Sequence, residues 1–283
     1  MEQEHASPLS PEAASRDWAG PLLRLAGVDR ATSPSPEGGV PVIAAARRAL
    51  QRFAEDPQRL PRRPQLLPHL LSTLNDDDAS SRDIAGIIAR DPALAANLLK
   101  LANSALYRSV APVESLDRAV AMVGVEGLRH LVAVALMQPV MRMEGGAFGR
   151  LPDLLWDHTQ RAALIAADAV RAAGREDVFA AQLLALLQGL GAIVVVQVLR
   201  DEAARDARGL PDVEAMARLL HRWSPRIGRA VAREWALSER VMLALHEQDV
   251  DDMAKAGLLA RALALAAPCA SAAMEAPAVA DAA

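Results

Sequence analysis

The densest group of side chains that could hold an ion is the acidic run "NDDDASSRD", residues 75–83. Clustered carboxylates suit a hard cation. A calcium loop of the EF-hand kind also needs an internal glycine and a distal glutamate, and neither is here. The run reads instead as a solvated loop that caps a helix, with Ser80 or Ser81 at the cap and Asp83 in the first turn, where a carboxylate complements the helix dipole. A second polar group, "ANSALYR" (102–108), puts Asn103, Ser104 and Tyr107 at a helix end beside the apolar "NLLKL" face. These three could shape an interaction surface between lobes. The plainer reading is that Asn103 satisfies backbone groups of the following turn. No Ser-His-Asp, Cys-His or Walker pattern is visible. Gly124 follows no strand and cradles no phosphate; it is expected to end a helix in a left-handed conformation. Cys269 is the only cysteine, so no intrachain disulfide can form.

The elements that must position these groups are helices. Apolar residues make up 52% of the 283 and aromatic ones only 3%, a mixture that favours helix over strand. Net charge is −4, and every basic residue except Lys100 and Lys255 is arginine. That balance lacks the basic signature of a nucleic-acid binder. Residues 1–39, with Pro8, Pro11, Pro21, Pro34 and Pro36, are expected to be a disordered tail. "WAGPLLRLAG" (18–27) is its exception, a short piece that could dock. Helical spacing begins at Val40 and continues to about 268, with 269–283 expected to fray. "GGAFGRLP" (145–152) is the best boundary, which sets lobes at about 40–145 and 150–268. "LLALLQGLGAIVVV" (183–196) reads as a buried helix, a tight break at Gly191 and a second apolar run. Gln188, Gly189, Gly191 and Gln197 interrupt it too often for a membrane span of about 20 apolar residues. With no secretory signal at the start of the chain, the expected location is cytoplasmic.

The order of several stretches resembles one family, the HDOD domain, a divergent relative of the HD phosphohydrolases. They are "LPHLLSTL", "IAGIIARDPALAANLLKLANSALYRS", "VESLDRAVAMVGVEGLRHLVAVAL", "LWDHTQRAALIAADAV" and "LLALLQGLGAIVVVQVL". "IGRAVAREWALSERVMLALHEQ" extends the match, which runs over about 60–265. The resemblance implies an all-α fold of two packed lobes, a smaller N-terminal helical bundle ahead of an HD-like bundle. It also implies bacterial signalling roles without hydrolysis.

An HD-type site converges imidazoles and carboxylates on one or two metals, which activate a water and clamp phosphate oxygens. On this resemblance the first histidine persists as His158, and the central His-Asp pair aligns with Gln188 and Gly189. A later aspartate position falls near Arg261, a cation that would repel a metal. His246 is a further remnant. His158, following Trp156, has an alternative role as a packed, hydrogen-bonded core residue, and Trp156 joins Asn103, Ser104 and Tyr107 as a surface or lobe-interface candidate. Three functions follow. The first is a non-catalytic regulatory module that binds protein partners, with no metal, no cofactor, no nucleic acid and no membrane. The second is a sensor holding a nucleotide or cyclic dinucleotide in the former HD pocket. The third is a phosphohydrolase with an altered metal site.

Overall fold

The structure, a computed structural model, describes residues 17–30, 39–61, 80–89, 92–104, 115–141, 148–174, 178–206, 210–249 and 252–276, together with 65, 68, 72 and 113. Among them the architecture is all-α, with no extended strand. The helices are α1 (Ala19–Leu25), α2 (Gly39–Glu55), α3 (Ser81–Ile88), α4 (Pro92–Ala102), α5 (Leu116–Met141), α6 (Leu151–Ala172), α7 (Val178–Arg205), α8 (Val213–Glu234), α9 (Glu239–His246) and α10 (Leu258–Glu275).

Contacts divide the chain into one unit of residues 1–61 and 141–283 and a second of residues 62–140. This departs from the lobes expected at 40–145 and 150–268. The cause is α2, whose apolar stripe of Val42, Ile43, Ala46 and Leu50 is buried and which packs on α7 and α8. The chain therefore contributes to the larger unit first, leaves to build the smaller one, and returns. Trp235 fastens the departing strand of chain by donating its indole N–H to the Pro61 carbonyl, 2.7 Å away. At the return, Gly149 takes a positive φ of 52° and α6 begins at Leu151; Gly145 and Gly146 lie outside the described residues.

The larger unit is organised around α7. Every residue from Val178 to Val196 is buried except Ala180, as expected of a helix that is apolar on all sides. It is long and apolar enough to cross a membrane by composition, yet 94% of its most apolar window is buried inside the unit. Helices α2, α6, α8 and α10 pack against it. The break expected at Gly191 does not occur; α7 runs unbroken through Gly189 and Gly191. Both glycines answer to packing rather than to a turn. A Cβ on Gly191 would overlap the Ser224 carbonyl of α8, and one on Gly228 would stand 2.7 Å from the Leu187 carbonyl of α7. The two helices cross with backbone nearly on backbone, which only residues without side chains permit.

The described segments 17–30 and 258–276 are more structured than expected. Residues 17–30 are not a tail: α1 packs on α6, α8 and α10 and buries Trp18, Leu22 and Leu23. A seven-residue helix is too short to hold itself in water. Burial of each leucine supplies about 1.5–3 kcal/mol, and Asp17 Oδ1 accepts from the Gly20 N–H at 2.8 Å. Likewise α10 continues through Pro268 to Glu275, with Ala270 and Ser271 buried, so the fraying expected from 269 fails as far as Glu275. Residues 1–16 and 277–283 lie outside the described set.

In the smaller unit, α3 packs on α4, and Ile84, Ile88, Leu98, Leu128 and Leu131 are fully buried. Asp83 belongs to a capping box: it accepts from the Ser80 N–H at 2.9 Å while its own N–H reaches Ser80 Oγ at 3.4 Å. The Ser80 hydroxyl donates to Asp83 Oδ2 at 2.6 Å; this bond, followed by the one from the Ser80 N–H, holds the carboxyl below the usual range and assigns it to a helix start rather than to a cation. Gly124 bends α5 with φ 67° and ψ −176°, a positive φ as anticipated but with an extended ψ.

Candidate functional site

Helices α6 and α7 bring His158, Gln188 and Gly189 around one small space. It is closed on its other sides by Trp18 of α1 and Leu263 of α10. His158 is 4% exposed. Its Nε2–H donates to the Ala267 carbonyl at 2.9 Å, because a carbonyl can only accept. The nitrogen that donates has no lone pair left for a metal, so only Nδ1 keeps one. The imidazole stacks on the Trp18 indole, with ring centroids 5.2 Å apart and planes 20° from parallel. Burial pushes the imidazole down to about 4, opposed by the bond to Ala267; His158 is a neutral core side chain.

Gly189 is a glycine because of Thr159. A Cβ at 189 would overlap the Thr159 side chain, whose hydroxyl is held by the Leu155 carbonyl at 2.6 Å. The place where a carboxylate would start is thus filled from α6. Trp18 is fixed in turn by α10, where Ser271 Oγ donates to the Trp18 carbonyl at 2.6 Å. On the other side of Gln188, a second space is lined by Trp18, His221, Pro225, Gln248, Leu263, Ala264 and Ala267. The α10 residues here are apolar; Arg261, expected near this place, is not among them. The two spaces measure about 20 Å³ and about 10 Å³, room for about one water.

A metal of the HD type does not fit these residues. The donor set would be one imidazole nitrogen, one neutral amide and one hydrogen atom, short of the roughly three or four ligands a metal needs. Among the described residues, no three His, Cys, Asp or Glu side chains converge as a metal site would need. Nor is there space for the nucleotide that the sequence reading allowed in this pocket.

His246 is not brought to this site. It ends α9 on the far side of α8, where its Nδ1 lies 2.7 Å from Arg229 Nη1. It lines a separate cleft of about 490 Å³ with Gln51 and Glu55 of α2, Arg226, Arg229 and Arg233 of α8, and Asp249. Its grouping with His158 as a remnant of one metal site is therefore corrected: α8 turns Pro225 and His221 toward Gln188 and its arginines toward His246. Asn103 is occupied as the plainer reading expected. Its Nδ2 donates to the Leu99 and Val113 carbonyls, both at 2.8 Å, and its Oδ1 accepts from the Val113 N–H at 2.7 Å. Ser104 is partly buried beside it, and Trp156 is partly buried on α6. Tyr107 lies outside the described residues. Sequence reasoning missed Thr159, Ser271 and the role of Trp18. The signal for Trp18 was present as an apolar run inside a proline-rich segment.

The sequence model of the HDOD domain matches residues 60–250. The chain belongs to the HDOD domain family. Among solved structures, it is similar to an HDOD domain protein of unknown function from Geobacter sulfurreducens, at 24% identity over 80% of this chain and 76% of that one, with a TM-score of 0.55. A Shewanella amazonensis protein, named provisionally as a phosphohydrolase, aligns at 26% identity over 81% of this chain and 82% of that one, with a TM-score of 0.56. An uncharacterized protein of Treponema pallidum (strain Nichols) is 25% identical over 189 residues, 65% of this chain; the match spans only 36% of that relative's length. This HDOD chain thus shares the fold of proteins grouped with phosphohydrolases. The α1 segment with its N-cap Trp18 and α10 lie outside the matched range; Trp18 and Leu263 close the pocket, and Ser271 holds Trp18.

Proposed function

We propose that this HDOD protein is a non-catalytic regulatory module that acts by binding other proteins. The observation that carries the reading is the filled pocket: Trp18, Thr159 and Leu263 occupy the space around His158 and Gln188. A hydrolytic metal needs three or four protein ligands and an open position for water or substrate. Here the ligands are replaced and the opening is covered by the chain's own N-terminal segment. Fold does not carry activity by itself, so likeness to a phosphohydrolase contributes a scaffold and no chemistry. What the scaffold retains is a set of helical surfaces for partners.

The test has two arms on the full chain. Purified protein is assayed against phosphomonoesters, phosphodiesters and nucleotides with magnesium, manganese, iron or nickel added; no turnover above the metal-only blank is expected. In parallel, the tagged chain is crosslinked in its native host, and a partner recovered there is reconstituted from purified components. Metal-dependent turnover that His158→Ala abolishes would overturn the reading, as would the failure of every crosslinked partner to bind directly.

A further inference from the structure

The cleft that holds His246 differs in kind from the filled pocket. Its floor is apolar, made by Leu60, Trp223 and Ala230. Above the floor stand three arginines of one α8 face, at positions 226, 229 and 233, spaced so that all point the same way. They are not equivalent. Arg226 is committed: its Nε lies 2.9 Å from Asp249 Oδ2, and its guanidinium rests over the Trp223 ring at 5.5 Å. Arg229 is half-buried, and the cleft gives it an imidazole nitrogen rather than a carboxylate as partner. A guanidinium can only donate, so the 2.7 Å contact makes His246 Nδ1 the acceptor and leaves the ring proton on Nε2. Among the described residues, neither Arg229 nor Arg233 has a carboxylate within ion-pair distance.

Arg229, Arg233 and His246 therefore form a trio rich in N–H donors. Arginine forks of this sort match phosphate oxygens. The remaining lining has the opposite character. Glu55 and Gln51 on α2 are bonded to each other, and Glu234 neighbours Arg233; these carboxylates accept and would repel a second anionic group. The volume of about 490 Å³ lies within the 300–1,000 Å³ or so typical of small-molecule sites.

We propose that this cleft is a binding site for a small phosphate ester that carries hydrogen-bond donors of its own, a nucleotide or a sugar phosphate. The phosphate lies against Arg229, Arg233 and His246, and hydroxyl or amino groups face Glu55 and Gln51. The site is independent of the former HD pocket and stands whether or not the non-catalytic reading does.

Calorimetric titration of the full chain at low salt with pyrophosphate, ADP and glucose 6-phosphate tests the assignment. Saturable binding of at least one probe is expected, weakened about tenfold or more for each of Arg229→Gln and Arg233→Gln. Arg222→Gln, on the exposed α8 surface outside the cleft, serves as the charge control and should stay within about twofold. Arg233 is exposed, so its variant reports on binding even if Arg229→Gln fails to fold. Proton NMR should show the His246 ring signals shifting on addition of pyrophosphate. No saturable binding by any probe would overturn the proposal. So would equal loss in Arg222→Gln, or binding of a phosphoserine peptide where all three small probes fail.

Discussion

His158 and His246 sit in the same helical unit and have opposite surroundings. His158 is sealed: an indole stacks on it, a backbone carbonyl accepts its Nε2–H hydrogen bond, and about one water's worth of space remains nearby. His246 lines an open cleft beside arginines. The difference teaches that a histidine at a position matching a family motif need not mark a metal site. The side chains packed around it decide. In the first region Trp18, Thr159 and Leu263 leave little space around the imidazole. In the second, charge and volume are kept at the surface, where they cost the fold little.

Trp18→Ala should disturb the sealed region most. Truncating a buried aromatic costs about 3–5 kcal/mol, and here the loss releases α1 from α10. Thermal unfolding should drop accordingly, and hydrogen exchange should show lost protection in residues 19–25 and around His158. A stability change below about 1 kcal/mol would mean that Trp18 does not plug the pocket.

Acid sharpens the same contrast. Burial holds both His158 and His130 at about 4, below the ordinary 6.5. An unfolded chain takes up their protons near 6.5, and the folded chain resists until about 4. Stability is therefore complete above about pH 6.5 and falls as pH drops toward 4, by about 3 kcal/mol for each imidazole. Denaturant melts across that range should show the slope, and His158→Gln should flatten it by about half. An unchanged slope in that variant would contradict the buried, neutral assignment.

The sequence carried the helical class and the family, because apolar spacing and motif order are local properties. It did not carry what packs around His158 and Gln188. Gly191 looked like a break because a glycine in a helix usually signals one; only the α8 backbone crossing at Ser224 shows why it is needed. Trp18 was hidden by its prolines and serines, and its partner Ser271 is 253 residues away. His246 was grouped with His158 by family position, and the facing of α8 separates them.

Gly189→Ala should cost about 1–3 kcal/mol, since its new methyl meets the Thr159 side chain. The cost should be partly recovered in the double variant with Thr159→Ala, because the two share one space. Simple additivity would break the claim that Thr159 has taken the place of the missing side chain. In the open cleft, Arg233→Gln should change stability by less than about 0.5 kcal/mol, the smallest effect of the set, and a thermal melt suffices to check it.

The central claim is that His158 is sealed from metal. Titrating the full chain with manganese while following the His158 ring signals by NMR addresses it directly, because a paramagnetic ion bound beside that ring broadens its resonances. The account predicts that the His158 signals stay sharp while surface groups respond weakly and without saturation. Selective, saturable broadening of His158 would contradict it.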